Sequence, residues 1–248
     1  MNAALQPTPW HVCVLIPARN EEVLLPRCLK SVLAACRHLP QYYTYDIVLV
    51  TDASTDDSAH IGKTLLKTEG VVMEADFASV GKTRALAAEV GLARYAQRHG
   101  NLAQCWLANT DADCKVPLTW LSDQLALADK GIEAIAGIID VDSFEEHERH
   151  VPMQFKRTYL LRADGTHSHV HGANLGVRAD EYRRAGGWGV FKTAEDHDFW
   201  HRLKGQNTVQ LATSAICVTT SGRRLGRAPN GFAETLARHN YPPNQVAV

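Results

Sequence analysis

Four short apolar runs, each ending in a polar turn, constrain the fold of this chain more than any other feature. They occupy residues 12–17, 46–51, 71–74 and 105–110, and stretches of helical period separate them at 21–37, 56–67 and 80–97. A run that is apolar at every position suits a strand buried on both faces, and parallel strands need helical crossovers. The order therefore predicts an α/β fold with a mostly parallel central sheet flanked by helices. In such a sheet ligands bind beyond the carboxyl ends of the strands, so the polar turns after each run are the first places to look for function.

The second half is less regular. A helix is expected at 118–129, a strand at 132–141, and a charged, His-rich helix over 143–162 broken at Pro152. Strand patterns return at 169–177 and 209–219, on either side of a helix at 194–204, and the tail from Tyr241 reads as frayed. No polar linker divides the 248 residues, which predicts one domain over 1–248, with a regular half at 1–115 and a less regular half at 116–240.

Charge and cysteine usage narrow the function classes. A formal net charge of −1 gives no electrostatic footprint for nucleic acid. No segment reaches the ~18 apolar residues that a bilayer requires, so no integral membrane segment is expected. Cysteines 13, 28, 36, 105, 114 and 217 form no C-x-x-C pair, and several sit in apolar runs, as reduced thiols of a cytoplasmic protein would.

Five stretches carry candidate chemistry. Pro17-Ala18-Arg19-Asn20-Glu21-Glu22 leaves the first run and enters a helix, where it either reads a base or ribose or simply caps the helix. Asp52 ends the second run, and its carboxylate suits ribose hydroxyls or a base imide. Gly81-Lys82-Thr83-Arg84 opens the third helix with two cations at its N-terminus, a natural anion site. It is no P-loop, because Asp76 stands where the first glycine is required.

Asp111-Ala112-Asp113 places two carboxylates at the end of the fourth run, where Mg²⁺ or Mn²⁺ would bridge them to phosphates. Glu195-Asp196 opens a helix whose N-terminus keeps a carboxylate ionised, either as a proton acceptor or as a first-turn cap. His167, His169 and His171 alternate and would share one face of a strand, while His197 and His201 stand four apart. Without an H-E-x-x-H sequence zinc is disfavoured, and His171 is the histidine expected to touch phosphate, acceptor or the divalent ion.

In this order the motifs resemble those of the family 2 glycosyltransferases of the GT-A fold, a Rossmann-like nucleotide-diphospho-sugar transferase fold, from about residue 12 to 234. Residues 16–22 resemble the family's opening motif, Val50-Thr51-Asp52 its second, Gly81-Lys82 its third and Asp111-x-Asp113 its metal motif. Ala173-Asn174, followed by Gly186-Gly187-Trp188, resembles its acceptor-side segment, and Glu195-Asp196 its catalytic-base motif. The resemblance implies a UDP- or GDP-sugar donor contacted by Pro17, Ala18, Arg19, Glu21, Asp52, Gly81, Lys82, Arg84 and Asp111.

By the same resemblance Asp113 is the direct metal ligand with Asp111 shared, and Asp196 is the general base beside Glu195. Arg224 offsets diphosphate charge, and His171, Asn174 and Trp188 lie on the acceptor side. The Gln-x-x-Arg-Trp motif of the processive synthases is absent, which implies a single transfer, and the resemblance implies that this transfer inverts the anomeric centre. A sugar nucleotidyltransferase and a retaining GT-A transferase are the alternatives; the former usually begins with a Gly-rich basic loop.

Overall fold

The computed structural model describes residues 9–191, 194–227 and 231–241. In chain order it forms β1 (His11–Ala18), α1 (Leu25–Arg37), β2 (Thr44–Asp52), α2 (Ser58–Leu66), β3 (Gly70–Ala75), α3 (Val80–Ala96) and β4 (Cys105–Asn109). There follow α4 (Trp120–Ala128), β5 (Ala134–Val141), α5 (Val151–Thr158), β6 (Leu175–Arg178), α6 (Ala179–Arg184), α7 (Glu195–Gly205), β7 (Gln210–Thr220) and α8 (Phe232–Arg238). The seven strands make one sheet in the order β3-β2-β1-β4-β6-β5-β7. All pairings are parallel except those of β6, which runs antiparallel to both β4 and β5.

Every residue of β1 is buried, as its unbroken apolar run requires. Val12, Val14 and Ile16 belong to the core cluster that takes in Leu25, Leu29 and Val32 of α1. The alternate residues Cys13 and Leu15 join Ala87, Ala88 and Leu92 of α3 on the opposite face. The strand order turns at β1 and β4: the chain winds from β1 through β2 to β3 on one side and continues from β4 on the other. Such a reversal opens a crevice at the carboxyl ends of the two strands. The 17–22 and 111–113 stretches both lie there.

Several expectations for the second half need correction. The helix foreseen over 143–162 is only α5, and Pro152 lies in its first turn, where a missing N–H costs nothing, instead of breaking it. The strand foreseen at 169–177 is confined to β6 and is preceded by a 3₁₀ turn, Gly172–Asn174. Helices α6 and α8 carried no prior expectation. In the first half α1 begins at Leu25, after a turn at 22–24, with proline again in its opening turn. The expected frayed tail beyond Tyr241 lies outside the described residues. All six cysteines are free, and Cys13 Sγ stands 3.9 Å from Cys105 Sγ without a bond.

Candidate functional site

Two adjoining cavities of about 410 and 430 Å³ fill the crevice. The first is lined by Pro17, Ala18, Arg19, Glu21, Asp52, Asp113 and Arg223, the second by Arg84, His171, Gly172, Glu195 and Asp196. Val80, Asp111, Thr220, Gly231 and Phe232 line both. Asp111 thus stands between the two chambers. The loops that shape them hold non-glycine residues in the left-handed region, at Asn20 (φ 52°), Ala53 (49°), Ala78 (48°) and Ala194 (59°). Backbone strain of this kind collects where a site dictates the loop.

The first chamber is organised by carboxylates. Asp52 accepts bonds from the backbone N–H groups of Phe77 (2.6 Å), Ala78 (3.1 Å) and Ser79 (2.9 Å) and from the Thr83 hydroxyl (2.8 Å). Burial raises its pKa, but these four donors outweigh burial and lower it overall. Asp52 therefore ties the loop before α3 to the end of β2 while keeping an edge on the cavity. Glu21 and Asp113 face each other across Arg223, whose guanidinium donates to Glu21 at 2.9 and 2.7 Å and to Asp113 at 2.8 Å. Burial pushes the Asp113 carboxyl up to about 6 against the opposing pull of Arg223, with Asp111 and Glu21 adding to the rise.

The second chamber is built around a buried cation. Arg84, 2% exposed, reaches Asp111 at 2.5 Å, the Gly172 carbonyl at 3.1 Å and Glu195 at 3.6 Å, and lies over the Trp188 ring. Burial raises the pKa of Glu195, and Arg84 opposes that rise. Asp196 accepts from the Gly172 N–H at 2.9 Å and from the His197 N–H at 2.8 Å, which fixes its carboxylate at the chamber wall. His171 bonds the Tyr159 hydroxyl at 3.0 Å, and burial drives its pKa down to about 4 despite nearby Asp196, so its imidazole is neutral. His167, His169 and His171 do lie in a row, with His171 and Tyr159 stacked on His169 and His167 tilted against it, although no named strand carries them.

Not every expected site residue reaches the cavities. Asn174 is spent inside the fold: its side chain donates to the Ile138 and Ile216 carbonyls and accepts from Trp120 Nε1. Trp188 packs on Phe199 and under Arg84, 5% exposed. Gly81 sets a close approach, because a Cβ there would lie 2.3 Å from the Gly189 carbonyl oxygen. Lys82 is exposed in the first turn of α3 and lines neither cavity. The Arg224 guanidinium turns to the Tyr241 hydroxyl at 3.2 Å, and its neighbour Arg223 faces the carboxylates instead. Sequence reasoning named Arg224 and missed Arg223, since spacing alone does not say which of two adjacent arginines points inward.

The donor set fits a hard divalent cation. Asp111, Asp113 and Cys114 offer ligand atoms within 4.8 Å of one another. The Cys114 thiol is held far above its ordinary pKa by burial and then by the two aspartates, so it stays protonated and leaves the carboxylates as the usable ligands.

The family profile "Glycosyl transferase family 2" matches residues 13–184. The chain belongs to this family. That assignment sets aside the nucleotidyltransferase alternative. Among curated relatives, the undecaprenyl-phosphate 4-deoxy-4-formamido-L-arabinose transferase of Pseudomonas fluorescens (strain Pf0-1) is 29% identical over 73% of this chain and 49% of that protein. Its counterpart from Pseudomonas paraeruginosa is 30% identical over 70% of this chain and 47% of that protein. The chain thus spans about half the length of these relatives. Among solved structures, S. aureus TarS 1–349 in complex with UDP aligns with a TM-score of 0.61 at 17% identity, over 86% of this chain and 61% of that one. The Pyrobaculum calidifontis mannosyltransferase PcManGT, in complex with GDP-Man and Mn²⁺, gives 0.61 at 18% identity, over 93% and 69%. The expected GT-A fold is therefore present. Among the described residues no helix is long and apolar enough to cross a membrane.

Proposed function

We propose that this family 2 chain transfers a sugar from a nucleoside-diphosphate donor to an acceptor hydroxyl, with a divalent cation and with inversion. The observation that carries the reading is the position of Asp111 between the two chambers, with Asp113 on one side and Asp196 on the other. A donor whose nucleotide lies along Pro17–Arg19 and Asp52 would bring its diphosphate to Asp111 and Asp113. Its anomeric carbon would then lie at the junction and an acceptor in the second chamber.

The chain's own groups divide the chemistry. Asp196, held by two backbone N–H groups, takes the proton of the attacking hydroxyl. Arg84 fixes Asp111 and the Gly172 carbonyl, so the carboxylates on both sides of the junction keep their spacing. Neutral His171 offers the acceptor a hydrogen-bonding group without adding charge. Mg²⁺ or Mn²⁺ held by Asp113 and Asp111 would neutralise the departing diphosphate. One relative's complex with GDP-Man and Mn²⁺ and another's with UDP support a nucleotide-sugar donor and a metal. The six unbridged thiols suit a reducing, cytoplasmic setting.

The deciding experiment is a thermal-unfolding screen of UDP- and GDP-sugars with and without Mn²⁺, on the native chain and on Asp113→Ala. Ligand at about 100 times its Kd adds about 2.7 kcal/mol, a rise of about 5 °C or more for a chain of this size. A Mn²⁺-dependent shift that Asp113→Ala loses supports the reading, and no shift with any donor overturns it. NMR of the product anomer separates inversion from retention.

A further inference from the structure

The outer face of α5 and the segment after it combine two properties seldom found together on an exposed surface. Val151, Phe155 and Tyr159 recur every four residues and turn inward, Val151 and Phe155 into a small core with Leu236. Met153, Lys156, Arg157 and Thr158 between them turn out. Met153 is 60% exposed, Leu160 71% and Leu161 47%, and Lys156, Arg157 and Arg162 are exposed beside them.

Charge on this stretch departs from the rest of the chain. Residues 149–162 carry Arg149, Lys156, Arg157 and Arg162 and no carboxylate, in a chain whose formal net charge is −1. Among the described residues none of these four forms an ion pair, although Arg162 donates to Thr166 and lies in the field of Asp164. By contrast, the exposed Arg37, Arg98, Arg183, Arg184 and Arg238 each pair with an aspartate or glutamate. Unpaired cations around exposed Met and Leu side chains match a surface that is anionic at its edge and apolar just beneath. An anionic phospholipid bilayer has that profile, with phosphates for the cations and acyl chains for the apolar tips.

We propose that α5 and residues 160–162 dock the chain peripherally on an anionic bilayer. Met153, Leu160 and Leu161 enter the interface, and Lys156, Arg157 and Arg162 hold the headgroups. Just past the end of α5, on its inner side, Tyr159 bonds His171 in the wall of the second chamber through its hydroxyl. A bilayer on the outer face lies about one helix diameter, ~10 Å, from that wall. Docking thereby places the segment that braces the His171 wall against the lipid surface. This surface is separate from the donor chamber, so the proposal stands or falls independently of sugar transfer.

The test is co-sedimentation of the full chain with phosphatidylcholine vesicles containing about 30% phosphatidylglycerol, against vesicles of phosphatidylcholine alone, at low and high salt. The expected result is binding to the anionic vesicles that falls at least tenfold in 0.5 M salt and is absent on neutral ones. Lys156→Gln/Arg157→Gln and Leu160→Ser/Leu161→Ser should each lower the partition coefficient about tenfold with unchanged far-UV circular dichroism and melting temperature. All the substituted side chains are exposed, so folding is preserved. No binding to anionic vesicles, equal binding to neutral ones, or full binding by both double variants overturns the proposal.

Discussion

The Arg223 guanidinium lies 2.8 Å from the Asp113 carboxylate while gripping both oxygens of Glu21. A fixed cation thus stands beside the group that would ligate the metal. The contact is largely withdrawn from water, with side-chain exposures of 18% for Arg223, 6% for Glu21 and 12% for Asp113. Removing one member of such a cluster leaves unpaired buried charge.

Arg223→Gln should therefore bind Mn²⁺ more tightly in the absence of donor, by about tenfold, since two carboxylates lose their internal cation. The same change should weaken donor binding, because a cation that could face the diphosphate is gone. Titration of Mn²⁺ by electron paramagnetic resonance and of donor by calorimetry reads both effects. Unchanged Mn²⁺ affinity would detach Arg223 from the site.

Asp196→Asn keeps the size of the side chain and one acceptor oxygen for either the Gly172 or the His197 N–H, which bond different oxygens of Asp196, but it removes the base. Transfer should fall by about 10²–10⁴ while the donor-induced thermal shift persists. Single-turnover assays beside thermal unfolding check the split. Full activity would reassign the base.

Gly172→Ala tests the link between the chambers. A Cβ at 172 would lie 2.5 Å from Arg84 Nη2 and 2.8 Å from its Cζ, and Arg84 is too buried to step aside. The substitution should cost about 1–3 kcal/mol by overpacking. It should also lower kcat by displacing Arg84 from Asp111 and the Gly172 N–H from Asp196. Denaturant unfolding and steady-state kinetics measure the two losses, and an unperturbed variant would refute the packing argument.

Acid stability should depend on Asp46, which sits far from the cleft. Its burial raises the pKa, yet bonds from His11, Arg98 and Arg94 outweigh that and bring it down to about 2. A depressed carboxylate contributes stability that is present above its unfolded pKa near 3.8 and is lost as pH falls towards 2. His11 acts in the opposite sense. Burial lowers its pKa, the Asp46 bond outweighs this, and the raised value gives stability that is complete below 6.5 and lost as pH climbs through the folded value. Arg94 and Arg98 are 38% and 46% exposed, so screening limits the Asp46 effect to the order of 1 kcal/mol. Denaturant unfolding of the native chain and Asp46→Asn between pH 2 and 5 should show the native slope flattened in the variant.

The first half of the fold was legible because β1, β2 and β4 are buried on both faces over their apolar runs, as at Val12–Ile16 and Ile47–Val50. In the second half the patterns at 118–129, 132–141, 194–204 and 209–219 correspond to α4, β5, α7 and β7. The stretch between β5 and α7 was not legible, because α5 is only eight residues long and β6 four, too short for either period to show. His171 lies in a wall shaped by a 3₁₀ turn and by Tyr159 from another element, so its place depended on contacts that no local pattern encodes.

By itself the sequence determined which turns end the parallel strands, and hence that Asp52, Asp111 and Asp113 gather at one edge of the sheet. Strand burial and crossover geometry are local rules and carry that far. Tertiary structure alone decided which polar groups remain available. Asn174 is consumed by the Ile138 and Ile216 carbonyls, Arg84 is buried between Asp111 and Glu195, and Arg223, not Arg224, faces the carboxylates. A buried polar group must find a partner, and that partner comes from whichever element the fold brings beside it, up to 202 positions away for Arg223 and Glu21.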